Sequence, residues 1–191
     1  MYARMLRPID LETSEHVMLL YDSDQVRDEV AAHYINEGID EGQLVIYASV
    51  DAEDLAHLAR LASRITEYQE NISQGNLLIV SLKQCYQNAL AGDLSPFGDI
   101  KKLVERASKE RLDAGKGDGR AIIVADCADT LSKNEKFEEC GIVENWWRNT
   151  CREWLKNNLQ VTVICPHLHP MLDDSERELI GGYHSMTVKV P

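Results

Sequence analysis

Long apolar runs, paired cysteines, an excess of positive charge and aromatic residues are all missing or scarce here, and each shortage closes off a class of protein. The most apolar stretches, at 17–21, 44–48, 77–80, 121–125 and 161–165, are four or five residues long, against the ~20 needed to cross a bilayer. The first residues, Met-Tyr-Ala-Arg-Met-Leu-Arg-Pro-Ile-Asp, carry neither the apolar core nor the cleavage site of a secretory signal. A cytoplasmic location away from membranes is expected. Twenty Lys and Arg stand against 32 Asp and Glu, a net charge of −12, so phosphate backbones would be repelled and direct nucleic-acid binding is not expected. The five cysteines (Cys85, Cys127, Cys140, Cys151, Cys165) are odd in number and form no C-x-x-C, which argues against a disulfide framework or a zinc finger and for buried thiols.

What is present is an ordinary globular composition, 44% hydrophobic and 27% charged over 191 residues, enough for one sizeable core. The short apolar runs are rich in Val, Ile and Leu and bounded by polar residues, the pattern of strands covered on both faces. Helical spacing fills the gaps. A helix capped at 22–24 runs to a stop at Gly38, and another capped by Asp51 carries a stripe of Leu55, Leu58, Ala62 and Ile65, leaving His57 toward solvent. A loop with Pro96 and Gly98 leads into a helix bearing Ile100, Leu103, Val104 and Ala107, and residues 115–119 make a Gly-rich turn. A polar connection at 129–136 precedes a long helix with Val143, Trp146, Trp147, Thr150, Cys151 and Trp154 along one side. A last strand follows at 186–190. Such alternation predicts a three-layer α/β fold with a mostly parallel central sheet, a single domain over 1–191 with 1–14 as an N-terminal extension.

Ligands of open parallel sheets collect beyond the carboxyl ends of the strands, which draws attention to Tyr21, Asp126, Cys165 and His167. A phosphate-binding loop would follow the first strand with glycines and a lysine; the sequence there is Tyr-Asp-Ser-Asp-Gln, with two carboxylates instead. Asp126 stands where a nucleotide hydrolase would direct magnesium, but without the loop its plain reading is a bracing side chain. Cys165, His167 and His169 form C-x-H-x-H, a set with ligand atoms suited to zinc, although the chain is expected to turn at Pro166 and Pro170. No G-x-S-x-G elbow supports a serine nucleophile.

The run His16-Val-Met-Leu-Leu-Tyr21, followed by Tyr34-Ile-Asn-Glu-Gly38-Ile-Asp-Glu-Gly42 and Leu-Val-Ile-Tyr47, resembles the start of the methanogen/methylotroph DcmR-type sensory domain, MEDS. Gly75-Asn-Leu-Leu, Tyr86, Glu153, Val-Ile-Cys165-Pro and His184 extend the likeness over most of the chain. The resemblance implies a RecA/KaiC-like fold that has lost its phosphate-binding loop and serves as a sensor of small, hydrocarbon-derived molecules. It also raises His16 and His184, otherwise ordinary structural histidines, to candidate ligand contacts. Two departures stand out. A length of 191 residues leaves no room for an added output module, and the tyrosine expected soon after the strand-end cysteine is replaced by Pro166-His167-Leu168-His169.

The leading expectation is therefore a non-enzymatic sensory domain that needs no cofactor. It would bind a small molecule through His16, Tyr21, Asp126, Cys165, His167 and His184 in one carboxyl-end cleft, with Glu153 and His169 as further contributors. With no output module of its own, it would signal to a protein partner in signalling or transcription regulation, and a homodimer is expected. Two alternatives belong to other classes: a degenerate RecA/KaiC-like nucleotide-binding protein or ATPase using Asp126 and Glu153, and a metal-dependent hydrolase built on Cys165, His167 and His169.

Overall fold

A computed structural model describes residues 15–190; the N-terminal extension expected over 1–14 lies outside them. Six strands, β1 (His16–Tyr21), β2 (Leu44–Ser49), β3 (Leu77–Ser81), β4 (Ala121–Ala125), β5 (Val161–Leu168) and β6 (Met186–Lys189), form one all-parallel sheet in the order β3-β2-β4-β5-β1-β6. Eight helices among the described residues connect them: α1 (Asp24–Asp40), α2 (Leu55–Ala62), α3 (Tyr68–Ser73), α4 (Lys83–Ala89), α5 (Ser95–Asp113), α6 (Cys127–Lys133), α7 (Phe137–Lys156) and α8 (Asp174–Gly181). Side chains alternate across the sheet. Val17, Leu19, Val45, Ile122 and Ile164 meet α1 to α3 on one face, while Met18, Leu20, Ile46, Ile123, Val163 and Cys165 meet α4 to α7 on the other. These two cores are the outer seams of the three layers that the alternating pattern predicts.

Local readings are corrected in several places. Gly38 does not end α1: it lies inside the helix, where a Cβ would sit 2.8 Å from methyls of Ile122 and Val45. The helix ends instead two residues later, before Gly42 at φ +73°. The cap of α2 is Asp54, not Asp51, and the helix is rotated so that His57 and Leu61 are buried while Leu55 is exposed. His57 Nε2 lies 2.7 Å from the Tyr47 hydroxyl. Pro96 and Gly98 belong to α5, with the proline in the first turn, where its missing N–H has no helical partner to lose. The connection expected at 129–136 is largely helix α6, with Asp129 buried.

Pro166 does not turn the chain. β5 runs through it to Leu168, because β4 pairs only as far as Ile164 and the proline needs no donor on that side. Extended backbone then puts Cys165 and His167, two residues apart, on the same face. That face is covered by α7, whose buried stripe is Cys140, Val143, Glu144, Trp147, Thr150, Cys151 and Trp154. Trp147 and Trp154 are core residues, as their spacing predicts, and Trp146 is only half-buried.

Candidate functional site

Glu144 is the one charged side chain in the buried stripe of α7, and it is fully enclosed. Around it stand three histidines from three elements. His16 opens β1, His167 lies near the end of β5, and His184 lies in the turn between α8 and β6. His167 Nε2–H donates to Glu144 Oε1 at 2.8 Å. Glu144 Oε2 lies 2.9 Å from His16 Nε2 and 3.2 Å from His184 Nε2. The His16 and His184 rings stack with centroids 4.0 Å apart, and Cys165 Sγ sits 3.4 Å from His16 Nε2. Burial alone would push the Glu144 carboxyl up, and it is positive charge or N–H donation facing it from the imidazoles, His184 foremost, that holds it well below the usual carboxylate range. Burial, reinforced by the Glu144 charge, pushes the Cys165 thiol up.

The outer nitrogens of two of these rings are fixed. His16 Nδ1 is 2.9 Å from the Tyr183 carbonyl and His184 Nδ1 is 2.9 Å from the Ile180 carbonyl. A carbonyl oxygen only accepts, so both Nδ1 atoms carry protons, and in the neutral rings both Nε2 lone pairs face Glu144. Three acceptors therefore converge, and Glu144 Oε2 and His184 Nε2 are buried without a hydrogen-bond partner. Among the described residues, His16, Glu144, Cys165 and His184 form a group able to hold a metal ion, with ligand atoms all within 4.8 Å of one another.

A cavity of about 150 Å³ opens beside this centre, lined by His16, Arg148, Cys151, Tyr183, His184 and neighbouring residues. It connects the two stacked imidazoles with the surface. A larger groove, about 640 Å³, lies at the amino ends of β4 and β5. Its charged groups already pair with one another or with close neighbours, as in Lys101–Glu105, Lys101–Glu153 and Arg120–Asp118.

The single carboxyl-end cleft expected from the sequence is corrected by this arrangement. His16 and His184 lie at the amino ends of their strands, and together with Cys165 and His167 they gather under the α7 face of the sheet. Tyr21, on the opposite face by alternation, donates its hydroxyl to Asp129 Oδ2 at 2.6 Å, and Lys133 bridges Asp129 to Asp24. Asp126 accepts from Ser49 Oγ at 2.5 Å and from the Val50 N–H at 2.7 Å. Burial pushes its carboxyl up to about 6. Glu153 is on the exposed side of α7, paired with Lys101 at 3.0 Å. His169 leaves the β5 line to meet Asp22 at 3.6 Å, so Cys165, His167 and His169 do not converge.

The family model of the MEthanogen/methylotroph, DcmR Sensory domain matches residues 15–166. The chain belongs to the MEDS family. Among curated proteins none matches it. Of solved structures, the flagellar accessory protein FlaH from Methanocaldococcus jannaschii is similar in fold, at 10% identity and a TM-score of 0.50 over 93% of this chain and 71% of that one. The MEDS chain thus has a three-layer α/β fold with an all-parallel sheet, similar to that of FlaH and in keeping with the fold expected from the sequence. The family match spans His16, Glu144 and Cys165 and stops short of His167 and His184. Glu144 escaped the sequence reading, although a carboxylate at the i, i+3, i+4 positions of an otherwise apolar stripe is the signal that marks it.

Proposed function

We propose that this MEDS chain is a non-enzymatic sensor whose ligand site is the Glu144 centre. The observation that carries the reading is a carboxylate buried under three imidazoles and a thiol, with a small cavity leading to it. A fully buried charge is costly unless closely compensated, so its upkeep in the middle of α7 favours a binding role over packing. A cavity of about 150 Å³ suits a ligand of a few heavy atoms, such as a one- or two-carbon hydrocarbon derivative. Apolar atoms would be buried against Cys151 and Tyr183, while an imidazole or the thiol fixes orientation.

His184 offers the route outward. It sits in the turn that joins α8 to β6, the edge strand beside β1, so a ligand that displaces its ring would move an exposed sheet edge. A partner protein, or a second copy of the chain, would read that movement.

The nucleotide-hydrolase alternative has less support. Only Asp22 and Ser23 separate β1 from α1, too short a connection for an amide cradle, and Lys133 in that corner is committed to Asp24 and Asp129 at 2.8 and 3.2 Å. Phosphoryl transfer depends on such preorganised charge.

A thermal-shift screen with one- and two-carbon alcohols, amines, halides and carboxylates tests the reading against Glu144→Gln. Stabilisation of the wild type by at least one class, lost in the variant and with the compound recovered unchanged, is expected. No shift with any class, or equal shifts in both proteins, would contradict it.

A further inference from the structure

We infer that His16, His184, Glu144 and Cys165 bind a divalent transition ion, zinc first among the candidates. Tyr183 and Ile180 carbonyls fix the Nδ1 protons of the two stacked rings, which is the outer-shell pattern that orients a metal-binding imidazole. Both Nε2 lone pairs then point at Glu144 Oε2, itself an acceptor, at 2.9 and 3.2 Å. Acceptors do not attract one another. A proton or a cation must lie between them, and Glu144 Oε2 and His184 Nε2 have no hydrogen-bond partner in the protein.

Two other occupants compete. Protonating both rings would place two cations face to face at 4.0 Å against a single carboxylate, leaving net positive charge in a buried site, and protonating one ring leaves the other Nε2 lone pair facing Glu144. A water molecule could serve Glu144 Oε2 and His184 Nε2 while the Cys165 S–H serves His16 Nε2 at 3.4 Å, and the metal titration below decides between water and ion. A divalent ion satisfies all three acceptors and takes the Cys165 sulfur as a thiolate, releasing its proton to solvent.

The donor set agrees with the ion. Two imidazole nitrogens, one carboxylate oxygen and one sulfur suit zinc at ~2.0–2.3 Å in tetrahedral geometry, with ligand atoms roughly 3.3–3.8 Å apart. The four atoms here already lie within 4.8 Å of one another, so small rotamer adjustments close the site. His167, donating to the other carboxylate oxygen at 2.8 Å, orients Glu144 from outside the ligand set. The cavity beside His16 and His184 lets a small ligand approach the ion and displace a protein donor. This deepens the sensor reading, resting on it for the role of the ion but not for its binding.

The test uses the full chain, stripped with a chelator and titrated with Co²⁺ or Zn²⁺ alone. One equivalent of Co²⁺ is expected to give visible d–d bands and a thiolate-to-cobalt charge-transfer band. Cys165→Ser should lose the charge-transfer band, His184→Ala should lose binding by more than tenfold, and His167→Ala should weaken it about 10–100-fold as an outer-shell change. Cys85→Ser, in the distant α4, should behave as wild type, and circular dichroism checks that each variant is folded. Absence of binding in the folded wild type, or binding unchanged in the folded Cys165→Ser and His184→Ala variants, would overturn the metal site. Thermal shifts with small compounds on both the stripped and the metal-loaded protein separate the two claims. Shifts without any metal binding would remove the ion and leave the sensor, whereas metal binding without any shift would do the reverse.

Discussion

Asp126 shows how a single buried carboxyl can be read as a stability statement. Its two hydrogen bonds, from Ser49 and the Val50 N–H, favour ionisation, but burial outweighs them and raises the group from its ordinary 3.8 to about 6. A raised acid binds its proton more tightly when folded, so its contribution is fully present below about pH 4 and is lost as pH rises through 6. The loss is on the order of 3 kcal/mol at most. Asp126→Asn keeps the acceptor for Val50 and has no charge to bury. Urea unfolding across pH 4 to 7 should therefore show a flatter profile for the variant and a more stable protein at pH 7. A profile of wild-type slope would count against the assignment. At this scale the sequence was only half legible. His16, Cys165, His167 and His184 carry recognisable chemistry, but their shared partner is Glu144, and no spacing in the chain joins residues 16, 144 and 184. Only the crossing of α7 under β1 and β5 does so.

At the scale of elements, the strands were legible because burial on both faces leaves unbroken β-branched runs, and α7 because its stripe repeats every three or four residues. The misreadings fall where tertiary contact overrides local preference. Gly38 reads as a helix stop, yet its role is close approach: α1 lies so near the sheet that a methyl would meet Ile122 and Val45 at 2.8 Å. Gly38→Ala would raise helix propensity by about 1 kcal/mol, but overpacking of this kind costs about 1–3 kcal/mol. We expect net destabilisation in denaturant melts, and a more stable variant would show that α1 can shift outward. His57 reads as solvent-facing for the same reason, yet it is buried. A short helix of eight residues can rotate to bury an imidazole once Tyr47 supplies a hydrogen-bond partner.

For the whole molecule, an α/β alternation was enough to predict the layers and the parallel sheet, and the TM-score of 0.50 to FlaH agrees with that arrangement. What the chain does with the fold depends on two ends of the sheet. The β1–α1 corner, tied up by Tyr21, Asp129, Lys133 and Asp24, should leave Mg-ATP without effect on the melting temperature; a shift abolished by Asp126→Ala would restore the hydrolase reading. The other end holds the Glu144 centre, and there the six histidines of the chain provide their own control. His16, His167 and His184 surround Glu144, while His33, His57 and His169 lie elsewhere.

Two-dimensional NMR of the histidine ring nitrogens, recorded on the full chain with whichever one- or two-carbon compound stabilises it, tests the central claim most directly. The resonances of His16, His167 and His184 should move together on titration while those of His33, His57 and His169 stay in place. Movement confined to the second set, or stabilisation with all six resonances unchanged, would contradict a sensing site at Glu144.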